Sequence, residues 1–137
     1  MGIEAIGTGI KTTILATITS GLRVFATNEV PDSLNDFPCL IILLGPGQYA
    51  TTYGGKHDAT YRLILALAKQ DTPAAYNALL DFVEASGAKS IFAALDADKT
   101  LDSSCDSSKL EGYSGASSSN WGGITYLSCE FELAVWS

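Results

Sequence analysis

Phe37-Pro-Cys-Leu-Ile-Ile-Leu-Leu44 is apolar at every position from 39 to 44 and stops at Gly45-Pro-Gly47. A run this short, bounded by proline and glycine, predicts a strand buried on both faces. Gly54-Gly55 then supplies positive-φ turn positions, and 57–69 reads as a long partner strand, so the two form a hairpin. Residues 63–68 are apolar on both faces, whereas Asp58, Thr60 and Arg62 put a polar stripe on the other half. One end of the hairpin therefore belongs to the core and the other projects.

Working outward from that pair, Ile3, Ile6, Ile10, Ile14 and Ile18 recur at steps of three and four, one stripe of a helix. Gly7, Gly9 and several threonines weaken its propensity, so packing must hold it. Thr8 is a candidate internal N-cap, with the residues before it as an extended arm, and Ser20-Gly21 is the stop. Residues 22–26 alternate as a short strand, and 28–36, broken by Pro31, read as a loop. On the other side, Thr72-Pro73 caps a helix whose apolar stripe is Tyr76, Leu79, Leu80 and Val83, ending at Ser86-Gly87. Residues 91–95 continue as a short helix capped by Ser90, followed by the charged segment 96–102. Eight of the seventeen residues in 103–119 are serine, which predicts a flexible loop with at most a strand at 109–113. Leu127, Cys129, Phe131, Leu133 and Val135 alternate with Tyr126, Ser128, Glu130 and Glu132, a strand with one wet face. The expected fold is a single α+β domain over 1–137: an antiparallel or mixed sheet of about four strands with helices packed on one face, in the order α-β-β-β-α-α-β(-β).

Composition narrows the function. With 47% apolar and 17% charged residues in 137, the chain has material for a core and is neither disordered nor a cysteine framework. Its net charge of −7 repels phosphates, which disfavours reading nucleic acid by backbone neutralisation and disfavours anionic membranes. The longest apolar run is far short of the roughly 20 residues that span a bilayer, and no basic region precedes an apolar stretch at the start. The expectation is a soluble, non-exported chain. Cys39, Cys105 and Cys129 form no C-x-x-C and cannot all pair within one molecule, so they read as buried thiols, with a Cys39–Cys129 contact across strands geometrically open.

Motifs of catalysis fail one by one. His57 is the sole histidine, and its neighbour Asp58 would point to the opposite face of a strand. Gly7 to Thr13 lacks the spacing and the leading strand of a phosphate loop. Asp96, Asp98, Thr100 and Asp102 have the alternate spacing of a calcium loop, yet Leu101 sits at its glycine position and Ser107 at its terminal glutamate. Gly112-Tyr-Ser-Gly115 is one residue short of a nucleophile elbow. Glu130 and Glu132 share a strand face but read as solubilising. No cofactor, metal or enzymatic activity is expected.

The proline-flanked run 37–44, the partner strand 61–67, the segment Ser90-Ile-Phe-Ala-Ala-Leu-Asp-Ala-Asp-Lys-Thr-Leu101 and the ending Gly122-Gly-Ile-Thr-Tyr-Leu-Ser-Cys-Glu-Phe-Glu-Leu-Ala-Val135, behind an amphipathic first helix, together resemble the tail-terminator, or tail-completion, proteins of long-tailed bacteriophages. The resemblance covers nearly the whole chain, with the serine-rich 103–119 lying outside it. It implies a structural virion protein, assembled in the host cytoplasm, that forms a hexameric ring on the head-proximal end of the tail tube. Such a ring stops tube polymerisation and joins the tail to the head-tail connector or stopper protein. Genomic DNA passes through it without sequence-specific binding, and an acidic lumen would let the DNA slide. No membrane is involved.

Three surfaces are expected to meet neighbours: the glycine- and tyrosine-rich turn 45–56, the loop 103–120, ordered only by a partner, and the ends of the last strand. The interface residues proposed on this basis are Tyr49, Tyr53, His57, Arg62, Tyr113, Trp121 and Trp136. Other neck or tail roles (connector, stopper, tube subunit) share the same features. From different classes, a small-ligand-binding adaptor with a pocket between sheet and helices, and a hydrolase using His57, are the alternatives.

Overall fold

The computed structural model describes residues 3–19, 21–32, 37–49, 57–68, 73–121 and 123–136. Along them run α1 (Ile3–Thr17), β1 (Arg23–Phe25), β2 (Cys39–Tyr49), β3 (His57–Ala68), α2 (Pro73–Val83), α3 (Ile91–Asp96), β4 (Ser107–Tyr113), β5 (Ser117–Trp121) and β6 (Ile124–Trp136). The domain is α+β, as expected. Its six described strands form one mixed sheet in the order β1-β2-β3-β6-β4, with β5 also on β6. All pairs are antiparallel except β1 on β2, which is parallel.

Period-two alternation decides which side of the sheet each residue joins. Leu40 and Ile42 of β2, Tyr61, Leu63 and Leu65 of β3, and Cys129, Phe131, Leu133 and Val135 of β6 form one buried cluster with Ile6, Ile10, Ile14 and Ile18 of α1, Leu79 and Phe82 of α2, and Ile91, Ala94 and Leu95 of α3. The helices thus cover one face. The isoleucine stripe of α1 is buried as its spacing predicts, whereas α2 turns Leu79, Phe82 and Val83 inward and leaves Tyr76 and Leu80 exposed.

Several expectations are corrected. Thr8 is not a cap: its hydroxyl donates to the carbonyl of Glu4 at 3.2 Å inside a continuous α1. Gly7 and Gly9 are there for packing, since a Cβ on Gly7 would lie 2.2 Å from the Thr27 hydroxyl and one on Gly9 would lie 2.3 Å from the Leu101 carbonyl oxygen. β2 does not end at Gly45 but continues to Tyr49 through a register shift between Leu44 and Gly47. There Gly47 approaches β3 so closely that a Cβ would meet the Asp58 carbonyl at 2.6 Å.

The serine-rich stretch is not a loop, because β6, thirteen residues long, offers a partner along its whole length. β4 pairs with its C-terminal half and β5 with its N-terminal half, so 107–121 is one interrupted edge strand. At the break, the Ser114 hydroxyl accepts from the Glu130 N–H at 3.0 Å and replaces a backbone partner.

The expected wet face of β6 is wet over only part of its length. Tyr126 and Ser128 are buried, and the described residues on either side of 33–36, Pro31 and Phe37, form a strap at that end of the second face. Phe37 packs on Tyr126 with ring centroids 5.3 Å apart, and the Trp121 indole donates to the Pro31 carbonyl at 2.9 Å. With Cys39, Ile41 and Ala66 these residues make a second, smaller core. Cys39 and Cys129 therefore lie in clusters on opposite faces, which removes the contact between them that the sequence left open.

Candidate interaction surfaces

No described residue covers the half of the second face beyond this strap. Register places Arg62 of β3 directly opposite Glu132 of β6, and Gly112 of β4 on the far side of Glu132. Arg62 Nε donates to Glu130 Oε1, and this charge-assisted bond raises the guanidinium pKa further. These side chains floor an open cleft of about 430 Å³ walled by Pro46, Glu111, Tyr113 and Ser114. Three carboxylates against one guanidinium give the cleft an acidic character. Of these residues the sequence singles out Arg62 and Tyr113 as interface residues; Pro46 and Glu111 fall within the expected surfaces 45–56 and 103–120 without being singled out, and nothing in the sequence brings the four together. The wall residues come together through the register shift at Leu44/Gly47 and another at Leu110/Gly112, and local spacing carries no signal for either.

The remaining sequence-predicted residues are dispersed. Trp136 closes β6 opposite Asp58 and Ser107, with 40% of its surface exposed. Tyr113 stands across from Phe131 and is 60% exposed. Trp121 is half-buried and holds the strap, so it is a positioning residue of the fold more than a free interface aromatic. The backbones of Tyr49 and His57 pair at the far end of the β2–β3 ladder, while their side chains lie outside the described residues. Tyr53 lies outside them altogether.

Groups weighed for chemistry are occupied elsewhere. Both carboxylate oxygens of Asp98 are used within its own turn: one accepts from the Thr100 hydroxyl at 2.7 Å and from its N–H, the other from the Asp102 N–H at 3.0 Å. The hydroxyl and the amides hold the Asp98 pKa below its usual value. They also hold 101–103, three consecutive non-glycine residues at positive φ, which accounts for the calcium-like spacing without an ion. Burial pushes the Tyr61 phenol up to about 12, and its hydroxyl donates to the Ile3 carbonyl at 2.9 Å, fixing the start of α1. Burial likewise raises the thiols of Cys105 and Cys129, which makes them poor nucleophiles. Among the described residues no group of three or more His, Cys, Asp and Glu could hold a metal ion, and no helix is long and apolar enough to cross a membrane.

The chain matches no protein-family model and no curated protein.

Proposed function

We propose that the chain is a structural component of a phage tail or neck, with tail terminator as its role: copies close into a ring, most simply six, that caps the head-proximal end of the tail tube and joins it to the head-tail connector. The sequence phrases quoted above support this reading. So does one feature of the structure above others, the half-bare sheet. The helix-covered face of the sheet holds the main core, whereas no described residue covers half of the second face, floored by Arg62, Glu130 and Glu132, beside a hairpin that carries exposed Leu44 and Asp58. Protein surfaces of this kind are completed by neighbours, and a contact between two unlike patches repeated by rotation closes a ring. The chain then works through its shape, with no reaction. A net charge of −7 per copy lets a ring of such copies pass DNA without holding it.

The pocket-domain alternative finds no support, because the space between sheet and helices is filled by Tyr61, Phe82, Phe131 and the isoleucines of α1. The reading is tested by adding purified protein to growing tail tubes. Capped ends and arrested growth are expected, and tubes that lengthen unchanged, with bare ends in electron micrographs, would contradict it.

A further inference from the structure

Beside the Arg62 cleft the open half of the second face holds a further hollow, of about 300 Å³, over the end of the β3–β6 ladder. Successive pairs on that face are Arg62–Glu132, Thr60–Ala134 and Asp58–Trp136. Directly opposed residues of an antiparallel pair hold their Cβ atoms about 5 Å apart, so the Asp58 carboxylate and the Trp136 indole stand side by side. The middle pair is small, and Gly47 on the β2 side has no side chain, so neither fills the space between these two groups and Pro46.

Both groups are unspent. Asp58 is exposed and has no ion pair or hydrogen bond of its side chain among the described residues, and none of their cations lies over the Trp136 ring. Lys109 stands on the same face, across β6 opposite Ala134, but makes no ion pair with Asp58. A carboxylate beside an exposed indole suits a lysine ammonium or an arginine guanidinium, because the ring face attracts the cation and the carboxylate pairs with its charge. A neutral or acidic side chain gains neither.

We infer that this hollow receives a lysine or arginine side chain of a different protein, held between Asp58 and the Trp136 ring. The charge of the chain argues against a second copy as the donor: at −7 it is poor in cations, and Lys11, Arg62 and Lys99 are already paired within it. The inference deepens the assembly reading and rests on it for the claim that this face meets another protein. It is tested on the free chain, so its failure leaves the capping experiment to decide the ring by itself.

Trp121 and Trp136 are the two tryptophans, so their indole N–H signals in an NMR spectrum separate this hollow from the strap. The chain is titrated with three capped tripeptides, whose central residue is lysine, arginine or the uncharged norleucine. The Trp136 signal is expected to shift saturably with the two basic peptides and to ignore the third, while the Trp121 signal stays in place. Asp58→Asn weakens binding about threefold, and Trp136→Leu, followed at the Thr60 and Ala134 amides, does so by a similar factor. Asp81→Asn on α2, an equal change of charge on the helix side, leaves binding unaltered. All three substituted residues are exposed, so the variants keep the wild-type fold, which the rest of the amide spectrum verifies. A Trp136 signal that does not move at millimolar peptide, or a weakening that Asp81→Asn matches, would overturn the inference. So would a Trp136 signal that shifts with the concentration of the chain alone, since the occupant would then be a second copy.

Discussion

Gly9 shows how two opposed residue-scale effects are weighed. Alanine there would gain about 1 kcal/mol of helix propensity. Its Cβ, however, would lie 2.3 Å from the Leu101 carbonyl oxygen, a backbone atom held in the left-handed turn that Asp98 ties down. Overpacking of that kind costs about 1–3 kcal/mol, so Gly9→Ala is expected to lower the urea unfolding free energy; an unchanged or raised value would show that the turn yields freely. Tyr126 carries the opposite expectation. Its hydroxyl is buried with no hydrogen-bond partner among the described residues, so Tyr126→Phe removes an unmet desolvation cost and should stabilise by about 1 kcal/mol. A loss of stability in thermal unfolding would mean that the hydroxyl does have a partner.

Glu29 supplies a pH dependence. Its carboxylate accepts from Lys11 Nζ at 2.7 Å and from the Ala26 N–H at 3.1 Å, and these bonds, the lysine's first, hold its pKa below the usual value of 4.5. A carboxyl whose folded pKa is depressed contributes stability that is present above its unfolded pKa and is lost as pH falls through the folded value. The contribution from Glu29 therefore disappears below about pH 4.5, and because the pair is exposed it is small and salt-sensitive. In Glu29→Gln the drop in melting temperature between pH 6 and pH 3.5 should be shallower than in wild type; an identical drop would remove Glu29 from the account.

Among the elements, the segment between β1 and β2 does the least expected work. Asn28 and Glu29 tie it to Glu4 and Lys11 of α1 on the helix side of the sheet, and Pro31 and Phe37 meet Trp121 and Tyr126 on the other. Trp121→Phe keeps the apolar ring and loses the indole N–H bond to Pro31, at a cost of about 0.5–1.5 kcal/mol in chemical unfolding. A cost near zero would show that ring packing alone seats the strap. β2, β3, α2, α3 and β6 were legible in the sequence because their signals are local: apolar runs, Ser90 as a cap whose oxygen accepts from the Ala93 N–H at 3.0 Å, strict alternation. β5 was not legible. Ser117-Ser-Ser-Asn-Trp121 has no apolar alternation and becomes a strand because β6 extends beside it and Gly123, at φ +83°, turns the chain back. For the same reason Tyr126 and Ser128 looked wet: what covers their side of β6 comes from residues nearly a hundred positions away. The cleft around Arg62 was half legible, since Arg62 and Tyr113 carry their own chemistry whereas Pro46 and Glu111 reach it through register shifts.

At the scale of the whole molecule, three helices pack on one sheet face, and among the described residues the other is covered at one end and open at the other. The open end gathers the polar half of the β2–β3 hairpin, the acidic cleft and the edge of β4, and those are the surfaces on which assembly must act if the chain works by shape. Arg62→Glu keeps the monomer folded, because the side chain is exposed, but places a fourth carboxylate in the cleft. It should therefore impair capping while leaving the unfolding curve near that of wild type. The most direct measurement is electron microscopy of tail tubes grown with and without the purified chain. The account predicts tubes of arrested length, each bearing one ring of rotationally related copies at a single end, and loss of those rings with Arg62→Glu. Tubes that bind no ring, or that carry the chain as isolated single copies along their sides, would contradict it.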